Sequence, residues 1–136
     1  MPWYGFIHPV LAIGTMIYGL TIGRVSLSRL GEWDFPLNRI RKRTFIFAIL
    51  TILNLGLGLL INTILAGRGQ RVALVGHLPL AILVSAFGLL ATLVTFSKSL
   101  PGEVSPRMRW HPILIVASLA LIMTMGFIAI LKVFKF

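Results

Sequence analysis

Four long apolar runs, separated by short polar and basic stretches, make up most of the chain: Trp3 to Gly23, Thr44 to Ala66, Val72 to Ser97 and Trp110 to Leu131. Each reaches the roughly 20 residues needed to cross a hydrocarbon core about 30 Å thick. None alternates with period two, and a strand would leave backbone groups unpaired toward lipid at each open edge. All four therefore predict helices, and the fold class is all-α, a four-helix transmembrane bundle. The stretches between and beyond them are too short to fold alone, so residues 1–136 are expected to form a single membrane domain. No Lys or Arg precedes the first run and no small-residue cleavage site follows it, so it is expected to stay as a helix instead of acting as a signal peptide.

Charge gives these helices an expected orientation. The two longer loops, 24–43 and 98–109, carry Arg24, Arg29, Arg39, Arg41, Lys42, Arg43, Lys98, Arg107 and Arg109; the other side has Arg68, Arg71, Lys132 and Lys135. The excess places loops 24–43 and 98–109 in the cytoplasm, or the stroma of a plastid, with both termini opposite, in a plasma or thylakoid membrane. Trp3, Tyr4, Trp110, Phe134 and Phe136 sit where interfacial aromatics are expected. Only 12% of residues are charged, about half the usual fraction for a soluble domain, which argues against a soluble enzyme. The basic residues flank apolar runs and form no stripe with stacking aromatics, so lipid is the expected partner and nucleic acid is not. The chain has no cysteine, which excludes disulfides, thiolate zinc sites, iron–sulfur clusters and covalently attached c-type haem.

Three histidines are the ionisable side chains within or at the edge of the runs, and each stands just before a proline: His8-Pro9, His77-Leu78-Pro79 and His111-Pro112. Proline in a first helical turn costs no hydrogen bond, so each pair reads as a helix beginning, although apolar residues precede His77 and the alternative there is a longer helix kinked at Pro79. With alternating helices, His8 and His77 share one leaflet and His111 lies in the other. The rows His8, Ala12, Thr15, Gly19 and His77, Ala81, Val84, Gly88 have the same spacing, and their small members leave room for a flat ligand. Two neutral imidazoles facing each other at equal depth suit the axial positions of a non-covalent haem b. Arg68 and Arg71, beside the third helix on that side, are the expected partners of its propionates. Such an electron-transfer role needs no acid, base or nucleophile, and the protein would be at most an oxidoreductase component.

Other readings stand beside this one. A histidine at a membrane interface is commonly just an interfacial polar residue, and small-residue rows occur wherever helices pack closely. On the second helix Thr51, Asn54, Gly58 and Asn62 share a face expected to point inward. They serve as interhelical hydrogen-bond glue or, with Asn62 or Thr63, contact a quinone or haem edge. Arg39 to Arg43 reads as a topology determinant or a docking surface for anionic lipid or an acidic partner. The competing function is a non-redox accessory subunit of a larger membrane complex; in a photosynthetic one the same histidines would ligate chlorophyll magnesium.

The residues Phe6-Ile7-His8-Pro9 with Gly14 following, Gly76-His77, and Trp110-His111-Pro112 resemble the cytochrome b561 superfamily, and in particular a family of cyanobacterial and plastid four-helix membrane proteins. The resemblance covers most of the chain through short motifs. It implies two haems, one between the first and third helices and one between the second and fourth. The first pair maps onto His8 and His77. For the second only His111 is present, because Arg41-Lys42-Arg43-Thr44 stands where the partner histidine is expected. His111 would then bind iron alone or with an unforeseen partner. The resemblance thus implies one haem on one side, which cannot by itself pass electrons across the membrane and would exchange them with a quinone or a redox partner protein.

Overall fold

The computed structural model describes residues 3–32, 34–69, 76–97 and 104–133. Four helices run through it: α1 (Ile7–Arg29), α2 (Leu37–Gly67), α3 (His77–Thr95) and α4 (Trp110–Val133), with 3₁₀ turns at Trp3–Phe6 and Pro106–Arg109 leading into α1 and α4. All four, counted with their leading turns, are long and apolar enough to span a bilayer. Large apolar side chains such as Val10, Ile17, Leu60, Leu93 and Phe127 point outward, as lipid-facing surfaces do and water-facing ones of this extent do not. The protein is a multi-pass integral membrane protein.

The beginnings read from the histidine–proline pairs are found, while the start predicted at Trp3 is a 3₁₀ turn ahead of α1. α1 starts at Ile7, α3 at His77 and α4 at Trp110, each with its proline inside the first turn. α3 begins after Gly76, whose φ of 86° is a left-handed conformation suited to glycine. The predicted loop 24–43 is corrected: α1 continues to Arg29 and α2 begins at Leu37. A helix need not stop where its apolar run stops, since Arg, Lys and Leu are good helix formers. The 31 residues of α2 extend about 46 Å, more than lipid requires. Predicted residues 72–75 of the third helix, Arg71, Lys98, Lys135, Phe134 and Phe136 lie outside the described residues.

The neighbours α1–α2, α2–α3, α3–α4 and α4–α1 close a square, leaving α1 and α3 on one diagonal and α2 and α4 on the other. Glycines set the register. Gly19 of α1 faces Phe47 of α2 and Leu119 of α4, Gly23 faces Ile115, and Gly88 of α3 faces Ala48 and Thr51. At the basic end Arg41 donates two N–H bonds to the Thr95 carbonyl, at 3.2 and 2.6 Å, and lies 4.5 Å from the centre of the Phe96 ring. It satisfies a carbonyl that the end of α3 leaves open. Arg29 pairs with Glu32 and Asp34 across the short connection.

The apolar core is not centred along the bundle. Its cluster, Ile22, Phe35, Ile40, Phe47, Ala91, Met108, Ile115 and Leu119, occupies the half from the Gly19 level to the basic end. A Cβ on Gly19 would lie 2.7 Å from a Phe47 ring carbon and 2.8 Å from a Leu119 methyl, and Phe47 is fully buried. Gly19→Ala is therefore expected to cost about 1–3 kcal/mol through overpacking. Gly14→Ala, with nothing within 4 Å, should show no loss. Unfolding of both variants in mixed micelles checks the difference.

Candidate functional site

Equal spacing in the sequence becomes equal depth in the bundle. His8 and His77 each precede by 11 residues a glycine seated against the same turn of α2, Gly19 at Phe47 and Gly88 at Ala48 and Thr51. At 1.5 Å per residue both imidazoles stand about 16 Å from that level, at the end opposite the basic cluster. They meet across the α1–α3 diagonal with ring centres 6.1 Å apart and planes inclined by 68°. His8 and His77 thus lie together at one end of the bundle, with His111 at the other.

Gly58 of α2 makes the space for His8. A Cβ there would lie 3.1 Å from the His8 Cε1, so the ring rests on bare backbone. One turn deeper, the Asn54 side-chain N–H₂ donates to Thr15 Oγ1 at 2.8 Å and to the Leu50 carbonyl at 3.1 Å.

This half of the bundle collects unpaired polar atoms. His8 Nδ1, His77 Nδ1, Tyr4 OH, Asn54 Oδ1 and Ser85 Oγ are buried without a hydrogen-bond partner among the described residues. Ser85 lies three residues before Gly88, so the α2–α3 register puts it at the depth of Asn54. Buried hydroxyls elsewhere bond their own helix: Thr44 to Ile40, Thr51 to Ala48, Thr92 to Gly88, Ser118 to Leu114. Such back-bonding is the usual resting state of Ser and Thr in a helix, so an orphan like Ser85 stands out. An unpaired buried polar group costs about 1–3 kcal/mol unless water or a ligand meets it, and five such atoms gather in this half.

Two imidazoles bound trans to one metal at about 2 Å per nitrogen have ring centres roughly 6 Å apart. The His8–His77 spacing of 6.1 Å is close to that value and is also that of an edge-to-face ring contact. The donor set is short of the four ligands that a structural zinc takes; no group of three or more His, Cys, Asp or Glu gathers among the described residues. A group that brings its own equatorial donors would need only two nitrogens from the protein, which His8 and His77 could supply. Comparison of the chain with family models, curated proteins and solved structures finds no match. The geometry therefore carries the functional argument.

Several expectations change. The glycines at the ends of the matched rows leave no room for a flat ligand, because Phe47 and Leu119 fill the space at Gly19 and Ala48 that at Gly88. They register helices. Asn62 and Thr63 face outward, and the Thr63 hydroxyl returns to the Leu59 carbonyl. Arg68 is found at the histidine end, its guanidinium carbon 5.6 Å from the Tyr4 ring centre.

His111 is placed as a bridge, not as an iron ligand. It is fully buried, with Nδ1 2.7 Å from Ser26 Oγ of α1 and Nε2 2.8 Å from Thr44 Oγ1 of α2. Thr44 uses its one proton on the Ile40 carbonyl, at 2.7 Å, so it accepts from His111. The network assigns the neutral Nε2–H tautomer: Ser26 O–H donates to Nδ1, and Nε2–H donates to Thr44. Neither nitrogen keeps a free lone pair. Ser26 and Thr44 were not singled out from the sequence; the signal available was a small hydroxyl on the inward face at the helix end opposite a buried histidine.

Proposed function

We propose that this is an integral membrane, b-type cytochrome-like electron-transfer protein, with His8 and His77 as axial ligands of one non-covalent haem between α1 and α3. The observation that carries the reading is the pair of half-buried imidazoles with centres 6.1 Å apart and an unpaired nitrogen on each. The asymmetry of the core supports it: apolar side chains close the basic half, while polar atoms without partners gather in the histidine half. Bound haem supplies a one-electron couple. The chain's part is to hold two neutral imidazoles at fixed depth, with Gly58 positioning one ring, and to keep bulk water away.

The bridge at His111 leaves the other end without a free imidazole, so exchange is confined to the His8–His77 side. By the positive-inside rule that side is the non-cytoplasmic, or non-stromal, one. A quinone or a redox partner protein reaching that leaflet is the proposed counterpart. The test is a reduced-minus-oxidised absorption spectrum of the chain purified in mild detergent, with haem quantified and pigment extracted. One haem per chain is expected. Absence of both haem and a redox signal overturns the reading, and extracted chlorophyll in its place points to a pigment-holding subunit of a larger complex.

A further inference from the structure

Tyr4 and Arg68 form a second feature at the histidine end. Arg68 immediately follows the last residue of α2, and its backbone N–H returns to Leu65 at 3.1 Å. Its guanidinium reaches over the Tyr4 ring, centre to carbon 5.6 Å. Tyr4 sits in the 3₁₀ turn ahead of α1, and its hydroxyl is buried with no partner. The carboxylates among the described residues, Glu32 and Asp34, are at the opposite end and bound to Arg29. A guanidinium over the face of a tyrosine whose hydroxyl has no partner supplies donors without an anionic acceptor among the described residues, and a carboxylate supplies one in the geometry that Arg binds best. The depth agrees, since Tyr4 stands four residues, roughly 6–8 Å, outward of His8.

We propose that Tyr4 and Arg68 clamp a carboxylate of the group that His8 and His77 hold. The proposal rests on the haem reading, because haem carries carboxylates on short arms. It commits to the bound group as the source of the anion; a lipid phosphate at the same place is the competing source. The clamp sets the rotation of the bound group about its axial ligands, which two imidazoles alone leave open.

The test titrates the full chain, purified without haem in mild detergent, with haem and with haem dimethyl ester, followed by absorbance. The unaltered protein is expected to bind the diacid about tenfold or more tightly than the ester, as befits hydrogen bonds to a charged group. Tyr4→Phe and Arg68→Gln should each narrow that preference severalfold, and the double variant should abolish it. Ester affinity should stay constant throughout, which a merely structural role for either residue would not predict. Equal affinity for the two compounds in the unaltered protein, or a preference surviving in the double variant, overturns the clamp and points to lipid as the anion. Binding of neither compound overturns the haem reading and the clamp together.

Discussion

If His8 and His77 hold haem as proposed, His8→Ala and His77→Ala are each expected to abolish its retention through purification and to lower affinity by at least about 100-fold when haem is added back. Replacing residues that merely orient a metal ligand costs 10–100-fold, so removal of a ligand itself sets a higher floor. Neither substitution should unfold the bundle, because both rings lie outside the apolar cluster at the basic end and removing them also removes unpaired buried nitrogens. Gly58→Ala is the graded companion. Its Cβ, 3.1 Å from His8 Cε1, displaces the ring by a few tenths of an ångström and should weaken binding several-fold without eliminating it. Haem per chain, measured beside the far-ultraviolet circular dichroism of each variant, decides the matter. Full haem retention by either alanine variant would sink the ligand assignment.

The helices were legible because hydrophobic length is a coarse signal that lipid enforces: a run of about 20 apolar residues has few alternatives. Their ends were less legible. α1 and α2 continue through Arg24–Arg29 and Leu37–Arg43, where hydropathy falls but helix propensity does not. The depth match of His8 and His77 was readable from the shared 11-residue spacing, since helical rise is constant. What that spacing could not show was the use of each small residue. Gly19 and Gly88 look like open space in a sequence and are occupied by side chains of α2 and α4 in the bundle, whereas Gly58, read as part of a packing face, touches the candidate ligand. Which glycine is filled depends on the rotation of a neighbouring helix. A single chain's pattern carries no information about that rotation.

The bridge at the basic end gives the second large effect. His111→Ala is expected to destabilise the bundle by about 2–4 kcal/mol, the range for large-to-small changes in a packed interior. Hydrogen bonds alone do not account for this. Interhelical bonds in membranes average about 0.6 kcal/mol, so Ser26→Ala and Thr44→Val should each cost about 0.5–1 kcal/mol. Thr44 loses little when the imidazole goes, because its proton already lies on the Ile40 carbonyl. The larger part comes from emptying a fully buried site shared by α1, α2 and α4. Denaturation in mixed micelles measures all three variants, and the ordering separates the causes. If Ser26→Ala matched His111→Ala, hydrogen bonding would dominate; if His111→Ala were within about 0.5 kcal/mol of the unaltered chain, the ring would not be holding the helices together. His111→Ala should also keep its haem at temperatures where it stays folded, because both nitrogens of this ring are already committed within the protein. Loss of haem from a folded His111→Ala bundle would mean that the two ends are coupled and that a single site at His8 and His77 is not the whole of the binding machinery.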